Sequence, residues 1–315
     1  MISNRGLPPE ILDHIVALLC SRRYEYEVHD YSWDSPPGKD ELRRCCLVSK
    51  SWIPRTRRHL FAIVSLCNPE DLKAWKKKFP DPSNSPGYYT RTLHVHCPEI
   101  VTAADAAEGG WIQGFSNVMH LHLYNRPSYF RSASLKASFA PFQNISPTLK
   151  TLSVDSCFLF QERVFDLIHS FPLLEDIKLV SSLVSNWKSG GLQDDISPST
   201  SPVLTGCLEL FLPGGIAKIT HRLLDLPNGL HFRKLKLRWF KDENDRSVPG
   251  LVMACSETLE HLDITYDVKG AVCSVYASIK QVANSDLGSQ ANLRPPRLIS
   301  PERSSSKTSC SSAER

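Results

Sequence analysis

Six short segments of this chain repeat one apolar pattern at near-constant spacing. They are Thr90-x-x-Leu93-x-Val95, Val118-x-x-Leu121-x-Leu123, Leu149-x-x-Leu152-x-Val154, Leu174-x-x-Ile177-x-Leu179, Phe232-x-x-Leu235-x-Leu237 and Leu259-x-x-Leu262-x-Ile264. Their starts lie 28, 31, 25, 58 and 27 residues apart. The interval of 58 is about two periods and contains Leu208-Glu209-Leu210, a degenerate copy, so the mean period is about 28. Such a period constrains the fold more than composition does. One unit of this length cannot bury its own apolar face, and stacked units share a continuous core.

L-x-x-L-x-L is the strand signature of leucine-rich repeats, and Leu149, Leu152, Val154, Cys157 and Leu159 match the longer template. Helical spacing lies between the strands. Leu72, Trp75 and Phe79 share a face over 69–79, and Val164, Phe165, Leu167 and Ile168 do so over 161–169, with similar stretches at 219–226 and 248–256. The alternation predicts an irregular leucine-rich-repeat-like α/β solenoid with a parallel sheet over 61–284. A Gly/Ser/Pro-rich loop is inserted at 186–203, and a short helix over 271–283 caps the array.

In a parallel sheet, equivalent residues of successive repeats sit about 4.8 Å apart. The apolar positions point inward, so the residues between them point onto the concave face. That places Thr92, His94 and His96, then His120, His122 and Tyr124, then Thr151, Ser153 and Asp155, then Asp176, Lys178 and Val180 side by side. Lys234, Lys236 and Arg238 follow, then His261, Asp263 and Thr265. The expected client-binding residues are His94, His96, His120, His122, Tyr124, Asp155, Lys178, Lys234, Lys236 and Arg238. The histidine end is read as a pH-sensitive lining for polar or acidic ligands rather than a metal site, because zinc needs precise geometry and oriented supporting groups. The basic strand favours an acidic or phosphorylated segment.

The first sixty residues form a different unit. Leu7, Ile11, Leu12, Ile15, Val16, Leu18 and Leu19 recur at helical spacing, and Pro8 and Pro9 suit a first turn, so a helix is expected over 8–19. A polar, aromatic loop follows at 21–41. Two short helices are expected at 41–50 and at 51–60, the last capped by Ser51. So small a unit buries little on its own and needs a partner or a neighbouring domain. Leu7-Pro8-Pro9-Glu10-Ile11-Leu12, followed by Leu42-Arg43-Arg44-Cys45-Cys46-Leu47-Val48-Ser49-Lys50-Ser51-Trp52, resembles an F-box. The continuation Arg58-His59-Leu60-Phe61 into an Ile/Val strand is similar to F-box proteins of mushroom-forming fungi. The resemblance implies docking on a Skp-type adaptor and, through it, a cullin of a ubiquitin ligase. Carried over, the adaptor-facing residues are Leu7, Pro8, Ile11, Leu12, Leu47, Val48 and Trp52. The family usually joins its first two helices by a short loop, and this chain departs from it by the insertion at 21–41.

Composition limits the alternatives. The chain of 315 residues is 41% hydrophobic and 22% charged, with a net charge of +4, enough apolar mass for a core and too little charge to suggest a nucleic-acid binder. No apolar run is long enough to span a membrane, and Pro8, Pro9, Glu10 and Asp13 interrupt any signal sequence. Ten cysteines are scattered, with none in a C-x-x-C pair, which points to a reducing compartment, cytosol or nucleus. Residues 285–315 are Ser-rich and almost free of apolar residues, and are expected to be disordered; Ser300-Pro301 is a candidate phosphorylation site. No Gly-rich phosphate loop, nucleophile elbow or H-E-x-x-H motif is present, so no catalytic role and no cofactor are expected. The leading expectation is a non-catalytic substrate-recognition subunit of a Skp–cullin–F-box ligase that holds client lysines near a charged thioester. The alternatives are a binding scaffold outside a ligase and a hydrolase with a hidden pocket.

Overall fold

One carbonyl at the entrance to each coil of this chain accepts N–H groups from the next coil. Ala62 O accepts from Arg91 and Thr92, Arg91 O from Met119 and His120, Met119 O from Lys150 and Thr151, and Lys150 O from Glu175 and Asp176. Glu175 O accepts from Gly206, Gly206 O from Arg233 and Lys234, and Arg233 O from Glu260 and His261. The steps of 25–31 residues are the sequence period, and they divide the interval of 58 into two coils. The computed structural model that carries this ladder describes residues 8–26, 39–96, 110–125, 142–143, 145–156, 161–180, 202–211, 216–240, 247–268 and 271–278. Met1–Ile279 form one unit; Lys280–Arg315, with the tail from 285, lie outside the described residues, as does the inserted loop up to residue 201.

Nine strands form one sheet in sequence order: β1 Ile63–Leu66, β2 Thr92–His96, β3 His120–Asn125, β4 Thr151–Ser156, β5 Asp176–Val180, β6 Cys207–Phe211, β7 Lys234–Phe240, β8 His261–Val268 and β9 Ala271–Ser278. The first eight are parallel. Two apolar rows run across them. Val64, Leu93, Leu121, Leu152, Ile177, Leu208 and Leu235 form one, and Leu66, Val95, Leu123, Val154, Leu179, Leu210 and Leu237 the other, all buried. Full burial of each such side chain is worth about 1.5–3 kcal/mol, so this double row dominates the core. The helices α4 Pro69–Lys78, α5 Gly110–Gln113, α6 Gln161–His169, α7 Ile216–Leu224 and α8 Ser247–Ala254 close over the same face through Leu72, Ile112, Phe165, Leu223 and Leu251. The result is a solenoid-like α/β fold with a parallel sheet.

Side chains staple one coil to the next. Thr90 Oγ1 donates to Phe61 O at 2.9 Å, Asn117 Nδ2 to Tyr88 O at 3.0 Å, Ser146 Oγ to Ser116 O at 2.9 Å and Thr258 Oγ1 to Phe232 O at 3.2 Å. At one step the backbone pattern changes. The Cys207 N–H goes to Asp176 Oδ1 at 2.6 Å instead of Glu175 O. Gly206 allows this, because a Cβ there would overlap that oxygen. Aromatic rings close the first coils: Trp75 stacks on Phe115 with centroids 5.1 Å apart, and Phe61 meets Trp75 edge-on at 6.2 Å.

Three helices precede the sheet, α1 Pro9–Tyr26, α2 Lys39–Val48 and α3 Ile53–Leu60. Their common core is small: Val16 and Leu42, with Leu19, Trp52 and Leu60 against them. Arg55 Nε of α3 pairs with Asp13 Oδ1 of α1 at 2.6 Å, and the Cys46 thiol of α2 donates to the buried Thr56 hydroxyl at 3.1 Å.

Three expectations are corrected. The first helix continues to Tyr26, so residues 21–26 are not loop. Arg22, Arg23 and Glu25 are good helix formers and the first breakers are Pro36, Pro37 and Gly38. The cap position of α3 is Trp52, not Ser51, and no side chain bonds its free N–H groups. The expected helix over 271–283 is instead strand β9 over Ala271–Ser278, antiparallel to β8. Only Lys269 and Gly270 separate these strands in the sequence, the commonest hairpin spacing, and Val272, Val275 and Tyr276 favour a strand.

Candidate binding faces

Helix α1 carries two apolar stripes, of which one packs against the described residues of the unit and the other is partly exposed. At about 100° per residue, Leu12, Val16 and Leu19 lie on one side, while Ile11, Ile15 and Leu18 form a neighbouring stripe. The first stripe packs inward. In the second, Ile11 is 47% and Leu18 57% exposed. At the end of α2, Leu47 is 86% and Val48 67% exposed. Of the expected adaptor-facing residues, Pro8, Ile11, Leu47 and Val48 are exposed. Leu12 is not: it is 4% exposed, a core residue and no contact for a partner. Trp52 is half-buried against Val16 and Leu42, and Leu7 lies outside the described residues. Leu18 is exposed on the same face as Ile11, seven residues and two helical turns further along.

The sheet's other face carries the expected ladder, in register. One row runs Ser65, His94, His122, Ser153, Lys178, Glu209, Lys236 and Asp263. The next holds His96, Tyr124, Asp155, Val180, Phe211, Arg238 and Thr265. The histidine end is a stack of rings. His94 lies over His122 with centroids 4.6 Å apart and planes 10° apart, and His96 over Tyr124 at 5.0 Å and 20°. Ring nitrogens hold their lone pairs in the ring plane, so parallel stacked imidazoles do not aim them at one point. Among the described residues no group of three or more His, Cys, Asp or Glu is placed to hold a metal ion. His96 is itself buried, which removes it from the accessible lining.

Burial governs the titration of this end. It pushes the His122 imidazole down to about 3, with His94, His120 and Lys178 acting in the same sense. His120 is also lowered, by burial first. Burial thus works against protonation of His122 and His120 in the folded sheet, which weighs against these two as sensors near neutral pH. The Asp155 carboxyl is raised by burial, against the pull of Lys178. His122 and Ser153 are register neighbours, but no hydrogen bond joins them, which an activated serine would need.

The basic strand looks different once its neighbours are in place. Lys178 Nζ pairs with Glu209 Oε1 at 3.1 Å, and Lys236 sits between Glu209 and Asp263 in the register. Charges alternate along this row, so Lys236 does not add to a cationic field. Lys234 lies between Cys207 and His261, and exposed Arg238 between Phe211 and Thr265, without an acidic register neighbour. Glu209 was missed at the sequence level because its strand is a degenerate copy. Taking Leu208 and Leu210 as inward positions places Glu209 outward between them.

No helix among the described residues is long and apolar enough to cross a membrane. Comparison with protein-family models, with curated proteins and with solved structures returns no match.

Proposed function

We propose that this chain is an F-box protein with a leucine-rich-repeat-like domain: a substrate-recognition subunit of a Skp–cullin–F-box ubiquitin ligase. One observation carries the reading. A three-helix unit whose core among the described residues is little more than Val16, Leu42 and the side chains around them leaves Ile11, Leu18, Leu47 and Val48 exposed. Exposed apolar side chains in so small a unit are costly unless a partner covers them. The F-box resemblance supplies the partner, a Skp-type adaptor that in turn binds a cullin. The open face of the sheet, with its stacked rings at one end and its alternating charges at the other, is then the surface that holds a client protein. The chain supplies no reacting group. It raises the effective concentration of client lysines near the charged thioester.

The test is co-purification with a Skp-type adaptor. Wild type is expected to give a stable one-to-one complex. Ile11→Asp with Leu47→Asp, both at exposed positions, is expected to abolish it while the melting temperature stays within a few degrees. A folded wild-type chain that recovers neither adaptor nor cullin sinks the ligase reading and leaves a binding scaffold.

A further inference from the structure

Total charge conceals a local concentration of cations. Residues 50–78 hold eight Lys and Arg against two acids, a net +6 in a chain whose total is +4, so all other residues together carry −2. The fold gathers the two ends of this segment. Phe61, just after α3, meets Trp75 and Phe79 of the α4 end with ring centroids 6.2 Å away in each case. The last turn of α3, with Arg57 and Arg58, and the last turn of α4, with Lys77 and Lys78, therefore converge on one ring. Arg57, Arg58, Lys73, Lys77 and Lys78 are all exposed. None of the five forms an ion pair among the described residues. The nearest acids on α4, Glu70 and Asp71, stand in its first turn, at the opposite end, and Asp71 Oδ2 accepts the Cys67 N–H at 2.8 Å.

Cations at a helix C-terminus complement the helix dipole, but that dipole amounts to about half a charge at each end. One cation per helix meets the need. The others repel one another, Lys73 and Lys77 at i,i+4 in particular. Such a surplus is stabilised by an anionic partner. The size of the patch selects its class. It extends over about two helical turns, roughly 10–15 Å, the reach of four or five extended residues. A nucleic-acid duplex carries charge continuously along its length and would extend well beyond a patch of this size. We propose that the joined ends of α3 and α4 are a docking patch for a short acidic segment of a protein partner, contacted by Arg57, Arg58, Lys77 and Lys78.

The test uses the full chain and a fluorescein-labelled octapeptide of alternating Glu and Asp, followed by anisotropy from 50 to 300 mM salt. Wild type is expected to bind, with affinity falling at least tenfold across that range. The fourfold variant Arg57→Glu, Arg58→Glu, Lys77→Glu, Lys78→Glu is expected to lose at least tenfold at 50 mM with an unchanged melting temperature. Arg233→Glu, an exposed cation at the entrance to β7, is expected to bind as wild type does. Loss in Lys234→Glu with Arg238→Glu, on the sheet face, instead of in the fourfold variant overturns the proposal. So does a random 20-base-pair duplex that outcompetes the peptide at 150 mM salt through the same four residues, since that makes the patch a phosphate-backbone site. Absence of peptide binding at 50 mM also overturns it. Adaptor binding takes no part in this measurement, so the two proposals stand or fall separately.

Discussion

Acidification separates the folded from the unfolded chain through one half-buried, largely desolvated imidazole. His122 titrates near its ordinary 6.5 when the chain is unfolded and at about 3 in the folded sheet, where burial disfavours the cation. Between those values the unfolded chain binds a proton that the folded chain refuses. The contribution is fully present above pH 6.5 and is lost as pH falls towards 3. At pH 4.5 two units of that interval have been crossed, which at about 1.36 kcal/mol per unit is about 2.7 kcal/mol. The figure is insensitive to the folded value as long as it lies below about 4, because only the interval from 6.5 to 4.5 contributes. Urea unfolding followed by tryptophan fluorescence at pH 7.5 and 4.5, for wild type and for His122→Phe, measures it. Phe keeps a flat ring over His94 and has no proton to bind. Wild type is expected to lose about 2–3 kcal/mol more than the variant on acidification. The comparison matters because Asp155, raised by burial, acts in the opposite sense, its protonation favouring the fold as pH falls. A difference below about 0.5 kcal/mol between the two pH dependences refutes the desolvated, neutral imidazole.

Gly206→Ala is expected to cost about 2–4 kcal/mol in the same urea assay, since its methyl group displaces the Asp176 carboxylate from the Cys207 N–H. Asp176→Ala added to Gly206→Ala is expected to cost less than the sum of the single changes, and strict additivity would refute the contact. Phe115→Ala, which removes a fully buried ring from beneath Trp75, is expected to cost about 3–5 kcal/mol and to lower the melting temperature in calorimetry by roughly 10 °C. The Lys178–Glu209 pair is partly exposed, and a double-mutant cycle with Lys178→Met and Glu209→Gln is expected to return no more than about 1 kcal/mol.

The strands were legible because their signal is local and periodic. Leu93 and Val95, or Leu152 and Val154, alternate with polar residues in a way that only a half-buried strand explains, and the period of about 28 says that such strands lie side by side. The ladder of outward residues followed from the same period. The errors came where the local signal was ambiguous. Polarity after Leu19 resembled a loop although nothing in residues 20–26 breaks a helix, and the apolar spacing over 271–283 suits helix and strand alike until β8 offers an edge to pair with.

What the sequence by itself determined is the succession of parallel strands up to β8, the inward apolar rows and, Glu209 excepted, which residues alternate with them on the other face. What only the tertiary structure decided is the environment of those residues. Glu209 meets Lys178 across strands 31 residues apart, and His122 loses its charge because neighbouring coils and side chains exclude water from it. Leu12 turns inward while Ile11 faces solvent, and Phe61 draws two distant basic turns onto one ring. Periodicity specifies which way a residue points relative to its own strand or helix. Charge, burial and accessibility are set by what arrives from elsewhere in the chain, and a one-dimensional pattern does not contain those distances.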